Sequence, residues 1–331
     1  MESRREFLKT AATGALLLGS QSALGLAAET HAANKSRVVV ARDPKVYSSP
    51  GQLDEKKVQE LLDKAVASWT GREKPVDGWK RILGNDLGPD KVIGLKVNGL
   101  GGKGIATHAV LTRAICERLQ QVGIKPGNIV IWEQRTRFLD ACGFQHTDNP
   151  GQIRTLSSEI HGYEPNPVSY GSVKVNLAKA LTRCDMVIGL PILKDHELSG
   201  VTFAMKNMYG VVQKPYELHA AGCNPAVADL NCIPEIRKKV RFTIGDALSS
   251  VYDGGPSFHP ERLWYPSALI VGEDRVAIDH TAWQMIERKR AEVGMGTLEA
   301  AGRPPRYIAV AADATHTLGT NDPGRIHLME V

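Results

Sequence analysis

From residue 37 onward the chain alternates short apolar runs with stretches of helical period. "RVVVA" (37–41) reads as a strand, and "DEKKVQELLDKAVASW" (54–69) as an amphipathic helix with Val58, Leu61, Leu62, Ala65, Val66 and Trp69 on one face. "KVIGLKV" (91–97) is a second strand, running into the glycine-rich "NGLGGKG" (98–104). A helix follows, expected to be N-capped by Thr107 and ended by Gly123, and then the strand "NIVIWE" (128–133). Strand, helix and strand within about 40 residues make a βαβ unit, the building block of parallel sheets with right-handed crossovers.

The second half repeats this grammar. "ALTRCDMVIGLPILK" (180–194) leads into a strand, and Phe203 to Val212 has helical character. "KKVRFTIGDAL" (238–248) holds another strand, "SALIVGEDRVAIDHTAWQMIERKR" (267–290) reads as strand, turn and helix, and "PRYIAVA" (305–311) as a closing strand. The stretch 138–176, rich in Gly, Pro, Asn and Ser, reads as an irregular excursion. The expected fold is α/β: a largely parallel or mixed sheet with helices on both faces, in a single large domain.

Composition narrows the class. At 331 residues, 42% hydrophobic and 23% charged, the chain is long and apolar enough for a sizeable core. The net charge of +5 is spread along the chain, with no basic aromatic stripe and no nucleic-acid-binding signature, so nucleic acid is not an expected partner. The N-terminus pairs Arg4-Arg5 with an apolar run from about Ala11 to Leu26, like a twin-arginine export signal over residues 1–33. That run is Gly/Ala-rich and weaker than the about 20 strongly apolar residues of a spanning helix. The expectation is a periplasmic protein of residues 34–331 that uses the twin-arginine machinery and keeps no membrane span. The five cysteines are odd in number, scattered and without a C-x-x-C pair, so neither a disulfide scaffold nor a cluster-ligating run is expected.

The chemistry-bearing residues gather at strand ends. In "LPILKDHELSGVTFAMKNMYGVV" (190–212), Lys194 and His196 are two apart on one strand face, and Lys206-Asn207 follows within an apolar context. Lys96 and Asn98 repeat the spacing before glycines whose backbone N–H groups are free to face an anion. Ligands of open α/β sheets collect at the carboxyl ends of strands, where these residues fall. Asp246 ends another strand and is the carboxylate expected to pair a lysine, holding it ionised, or to bind metal. Asp279 is placed at a helix start, as cap or ligand. Cys142 with His146, or His219, Cys223, Asp229 and Cys232, match no standard zinc spacing, so no metal site is assigned and no cofactor is named. His108, His161, His259, His316 and His327 read as caps or surface residues. The G-x-S-x-G elbow, the kinase set and the S-x-x-K tetrad are all missing from the sequence, so neither a serine hydrolase nor a kinase is expected.

"IGLKVN", the element K-x-H-x-x-x-G-V-T-x-x-x-K-N-x-x-G from Lys194, "IGDAL", "YDGGP" and "EDRVAIDHTAWQMI" together resemble the DUF362 family over residues 90–290. The resemblance implies an α/β domain of unassigned activity. Some relatives carry ferredoxin modules, whose cysteines are missing here. Lys96, Asn98, Lys194, His196, Lys206, Asn207, Asp246 and Asp279 fall on the family's motif positions.

Two functional classes follow. In the first, Lys96, Lys194 and Lys206 form a cationic pocket for a carboxylate- or phosphate-bearing small molecule, with His196 as acid/base and Asn98, Asn207, Asp246 and Asp279 orienting or binding. In the second, an exported, non-catalytic protein binds a metal or redox cofactor. An interaction protein with no small-molecule site would place the lysines more than about 15 Å apart, beyond the Debye length.

Overall fold

The first strand buries both of its faces: Val39 and Ala41 join one hydrophobic cluster, Val38 and Val40 another. Side chains alternate along a strand, so a run apolar at every position belongs to a sheet covered on both sides. In the computed structural model, which describes residues 35–49, 51–85 and 88–331, that sheet has 11 strands. The segment read as an export signal lies outside these residues.

In chain order the strands are β1 (Ser36–Arg42), β2 (Ile93–Lys96), β3 (Ile129–Glu133), β4 (Arg154–Ser157), β5 (Met186–Gly189), β6 (Ile192–His196), β7 (Gly200–Thr202), β8 (Val240–Val251), β9 (Leu263–Trp264), β10 (Ala268–Gly272) and β11 (Ile326–Glu330). Across the sheet the order is β11-β1-β10-β8-β5-β2-β3-β4. Along this order every pair is parallel except those of β10, which runs antiparallel to both β1 and β8. The short β7 and β9 pair antiparallel with β6 and β8.

Helices α1 (Glu55–Thr70), α2 (Pro75–Leu83) and α3 (Ala109–Gln121) cover one face, sharing a cluster with Val39, Leu95, Ile131, Ile188 and Ile244. On the other face lie α4 (Arg275–Glu292) and short helices at 226–232, 234–239 and 306–311. α1 shows the local logic. Asp54 caps it by accepting the Lys57 N–H at 3.0 Å, the six apolar residues of its stripe are buried, and Gly71 at φ 67° ends it. Each buried Leu or Val there contributes roughly 1.5–3 kcal/mol.

Several elements differ from the sequence reading. "RYIAVA" is helical over Arg306–Ala311, burying Tyr307, Ile308 and Ala311 at helical spacing. A short apolar run does not distinguish the two periods. The closing strand is β11. Thr107 does not cap α3. His108 occupies the cap position, and the Thr107 hydroxyl accepts the Asn98 N–H at 2.9 Å and donates to the Leu190 carbonyl at 2.7 Å. Asp279 is not at a helix start: Asp274 caps α4, and Asp279 lies inside it. The excursion 138–176 contains β4 and a small hairpin, 168–170 with 173–175.

One break positions the site. β8 is 12 residues long and pairs first with β5 and then with β6 (Ile192 with Asp246, Lys194 with Val251). Pro191, which has no N–H to donate, falls where β5 ends and β6 departs. β6 therefore carries Lys194 and His196 past the carboxyl end of β2.

Candidate functional site

Burial at the end of β2 forces Lys96 to find partners inside the protein, since a lone ammonium there would be costly. Its Nζ donates to the Val97 carbonyl at 2.6 Å and to Glu133 Oε1 at 3.0 Å, with Asn207 Oδ1 at 3.4 Å. Asn207 binds back to the Lys96 carbonyl through Nδ2 at 3.0 Å, and its Oδ1 accepts from Asn98 Nδ2 at 3.1 Å. Asn98 Oδ1 then accepts from Lys194 Nζ at 3.0 Å, and Lys194 also donates to the Leu100 carbonyl. Two strand ends and the 3-10 turn Lys206–Val211 are thus joined by one chain of hydrogen bonds.

The lysines differ in their partners. Lys96 has a carboxylate; Lys194 has two neutral oxygens. Burial lowers Lys194 to about 7, Glu133 opposing and Lys206 and Lys96 adding to the effect. Lys206 sits 4.2 Å above the Tyr209 ring centroid, beside the Cys223 thiol, and burial lowers it to about 8.

His196 departs from its expected role. Burial first, then the charges of Lys206 and His219, takes it down to about 2, so the imidazole is neutral at physiological pH. Its Nδ1 accepts the Leu198 N–H at 3.1 Å, which leaves the ring proton on Nε2, and the ring stacks on His219 at 5.9 Å. Burial brings the two lysines, and not His196, close to neutrality.

A cleft of about 290 Å³ opens in front of this network. Asn98, Asn207, Lys206 and Glu133 line it, with Arg135, Arg137, His219 and the apolar surfaces of Leu100, Phe138, Tyr209, Pro215 and Tyr216. Lys96 and Lys194 stand behind it, fully buried. Glu133, Arg135 and Arg137 were missed in the sequence, although Glu133 ends an apolar strand as Lys96 does. The glycine loop also has a different partner: Gly99 donates to Glu133 Oε1 at 3.4 Å, so a protein carboxylate takes the place foreseen for an external anion. Gly99 runs so close to the Phe138 carbonyl that no Cβ would fit.

Two carboxylates stand apart from the cleft. Asp246 holds no lysine; its Oδ2 lies 2.8 Å from His108 Nδ1 and accepts the His108 N–H at 2.9 Å. Asp279 accepts the N–H groups of Ala204 at 2.6 Å and Met205 at 3.1 Å, anchoring the turn that presents Lys206. Burial raises it to about 7. Asp279 therefore holds the turn and does not line the cleft. His316 is no surface group either, being held between Asp229 and Asp313 at 2.9 Å each. Among the described residues no three His, Cys, Asp or Glu side chains are grouped to hold a metal ion, and the five cysteines are free and buried. No helix among them is long and apolar enough to cross a membrane.

A large, mostly parallel sheet covered by helices on both faces defines an α/β protein, and the cleft lies beyond its strand ends. The chain belongs to the DUF362 family, a domain of unknown function, whose profile matches residues 93–284. No curated protein matches it. Among solved structures, a Thermotoga maritima structural-genomics target aligns at 12% identity and TM-score 0.42, over 71% of this chain and 59% of that one. The lactate racemase apoprotein from Thermoanaerobacterium thermosaccharolyticum aligns at 12% identity and TM-score 0.34, over 61% of this chain and 53% of that one. The chain thus spans less than two thirds of either neighbour.

Proposed function

We propose that the cleft binds a small amphipathic anion, a carboxylate or phosphate on an apolar or aromatic body, and that Lys206 exchanges a proton with it. The carrying observation is the make-up of the lining: Lys206, Arg135 and Arg137 face the cleft beside aromatic surface, while its carboxylate, Glu133, is engaged by Lys96. With a value near 8, the Lys206 amine is partly unprotonated near neutral pH, as a general base or amine nucleophile requires. Lys194 and Asn98, joined at 3.0 Å, form the polar backing of the cleft. We further propose that the chain acts in the periplasm after twin-arginine export, as Arg4, Arg5 and the apolar run behind them suggest.

Calorimetric titration with phenyl phosphate, benzoate and inorganic phosphate tests the binding. Phenyl phosphate is expected to bind more tightly than inorganic phosphate, and Lys206→Met to weaken it at least about tenfold, equivalent to about 1.4 kcal/mol. Absence of binding by all three probes, or equal affinity in the variant, would overturn the reading.

A further inference from the structure

The partner that Asp246 does have leads to a second site. His108 Nδ1 lies 2.8 Å from Asp246 Oδ2, and His108 Nε2 lies 3.4 Å from Ser249 Oγ. We infer that Ser249, His108 and Asp246 form a nucleophilic Ser-His-Asp centre that hydrolyses esters of small acyl groups. Such a centre is recognised by geometry rather than by a sequence motif.

The orientation is the one the chemistry needs. Asp246 is fully buried and also accepts the N–H groups of His108 at 2.9 Å and Leu248 at 3.1 Å, so its carboxylate is fixed. It accepts a hydrogen bond from Nδ1–H of neutral His108, which leaves the Nε2 lone pair facing the serine hydroxyl. The 3.4 Å separation is long for a hydrogen bond, but such contacts are often loose before substrate binds. Burial opposes a charge on His108 and Asp246 favours it; the carboxylate prevails and the value is raised.

Two further features bear on the centre. The Tyr47 hydroxyl is buried near Asp246 and against Ser249, the group it interacts with there, so it stands next to the reacting oxygen. His108 keeps 25% of its side chain exposed, while Ser249 is only 4% exposed, so any substrate must reach the serine from the His108 side. In the reaction, Ser249 Oγ bonds to the ester carbonyl carbon as its proton passes to His108 Nε2. The carbon–oxygen bond to the alcohol breaks, and the alcohol leaves with that proton. Water, deprotonated by His108, then releases the acid and restores the serine, so one ester and one water give one acid and one alcohol.

The test uses the full chain with diisopropyl fluorophosphate and p-nitrophenyl acetate. A single phosphoryl adduct is expected on Ser249, and nitrophenol release is expected to vanish in Ser249→Ala and to fall at least about 100-fold in His108→Ala. Access is read separately from catalysis: in folded Ser249→Cys, iodoacetamide is expected to alkylate position 249, against native cysteines that are all buried. An adduct elsewhere or none, hydrolysis that survives Ser249→Ala, or an unreactive thiol in folded Ser249→Cys would overturn the inference. Should Ser249→Ala fail to fold, labelling of the parent and alkylation of Ser249→Cys still decide it.

Discussion

Lys96 Nζ and Glu133 Oε1 lie 3.0 Å apart with side chains 0% and 4% exposed. This pair divides the polar centre into one lysine that has a carboxylate and two, Lys194 and Lys206, whose contacts are neutral oxygens, a ring and a thiol. Breaking a buried pair from one side strands a charge, and the loss exceeds the worth of the pair itself. Glu133→Gln is therefore expected to destabilise the protein by about 3 kcal/mol, seen as a lower urea midpoint. Adding Lys96→Met should recover much of that loss; a double variant no more stable than Glu133→Gln would contradict the pairing.

Gly210 has no left-handed φ to protect, so its glycine is required by space alone. A Cβ there would stand 2.7 Å from Lys96 Nζ and 2.8 Å from Lys96 Cε, and that lysine is held by three oxygens. Gly210→Ala is expected to lose about 1–3 kcal/mol through overpacking and to disturb Lys96. Thermal unfolding measures the loss; an unchanged midpoint would mean that Lys96 yields freely.

Lys194 gives a pH signature. Its folded value of about 7 lies below the roughly 10.4 of a lysine in an unfolded chain. Below pH 7 the amine is charged in both states and its burial penalty is fully present. Between about pH 7 and pH 10 the unfolded chain holds more protons than the folded one, so this residue's contribution to stability rises with pH. Measured as unfolding free energy across that window, the parent should gain on Lys194→Met as pH rises. A constant difference would show that the amine keeps its ordinary value.

Export is tested in the cell. Replacing Arg4 and Arg5 together by lysine is expected to leave the precursor in the cytoplasm, because a receptor rather than the bilayer reads the pair. Fractionation and immunoblotting measure this; unchanged delivery to the periplasm would exclude the twin-arginine route.

The alternation of strands and helices was legible because a buried parallel strand and an amphipathic helix each write their own period into the chain. The α1 stripe from Val58 to Trp69 is buried as read. Lys96, Lys194 and Asn207 also stood out, since polar groups set in apolar runs are few. The misreadings have two origins. "RYIAVA" is too short for its period to be resolved, and Thr107 and Asp279 carry side chains that bond equally well to neighbouring or distant backbone.

Sequence by itself determined the α/β class and the covering of the sheet on both sides, because these follow from local period. Tertiary structure alone decided who pairs with whom. Glu133 reaches Lys96 across 37 residues, and Asp246 reaches His108 across 138. Partner choice depends on distance through space, and no spacing along the chain records which strand ends the sheet will bring side by side.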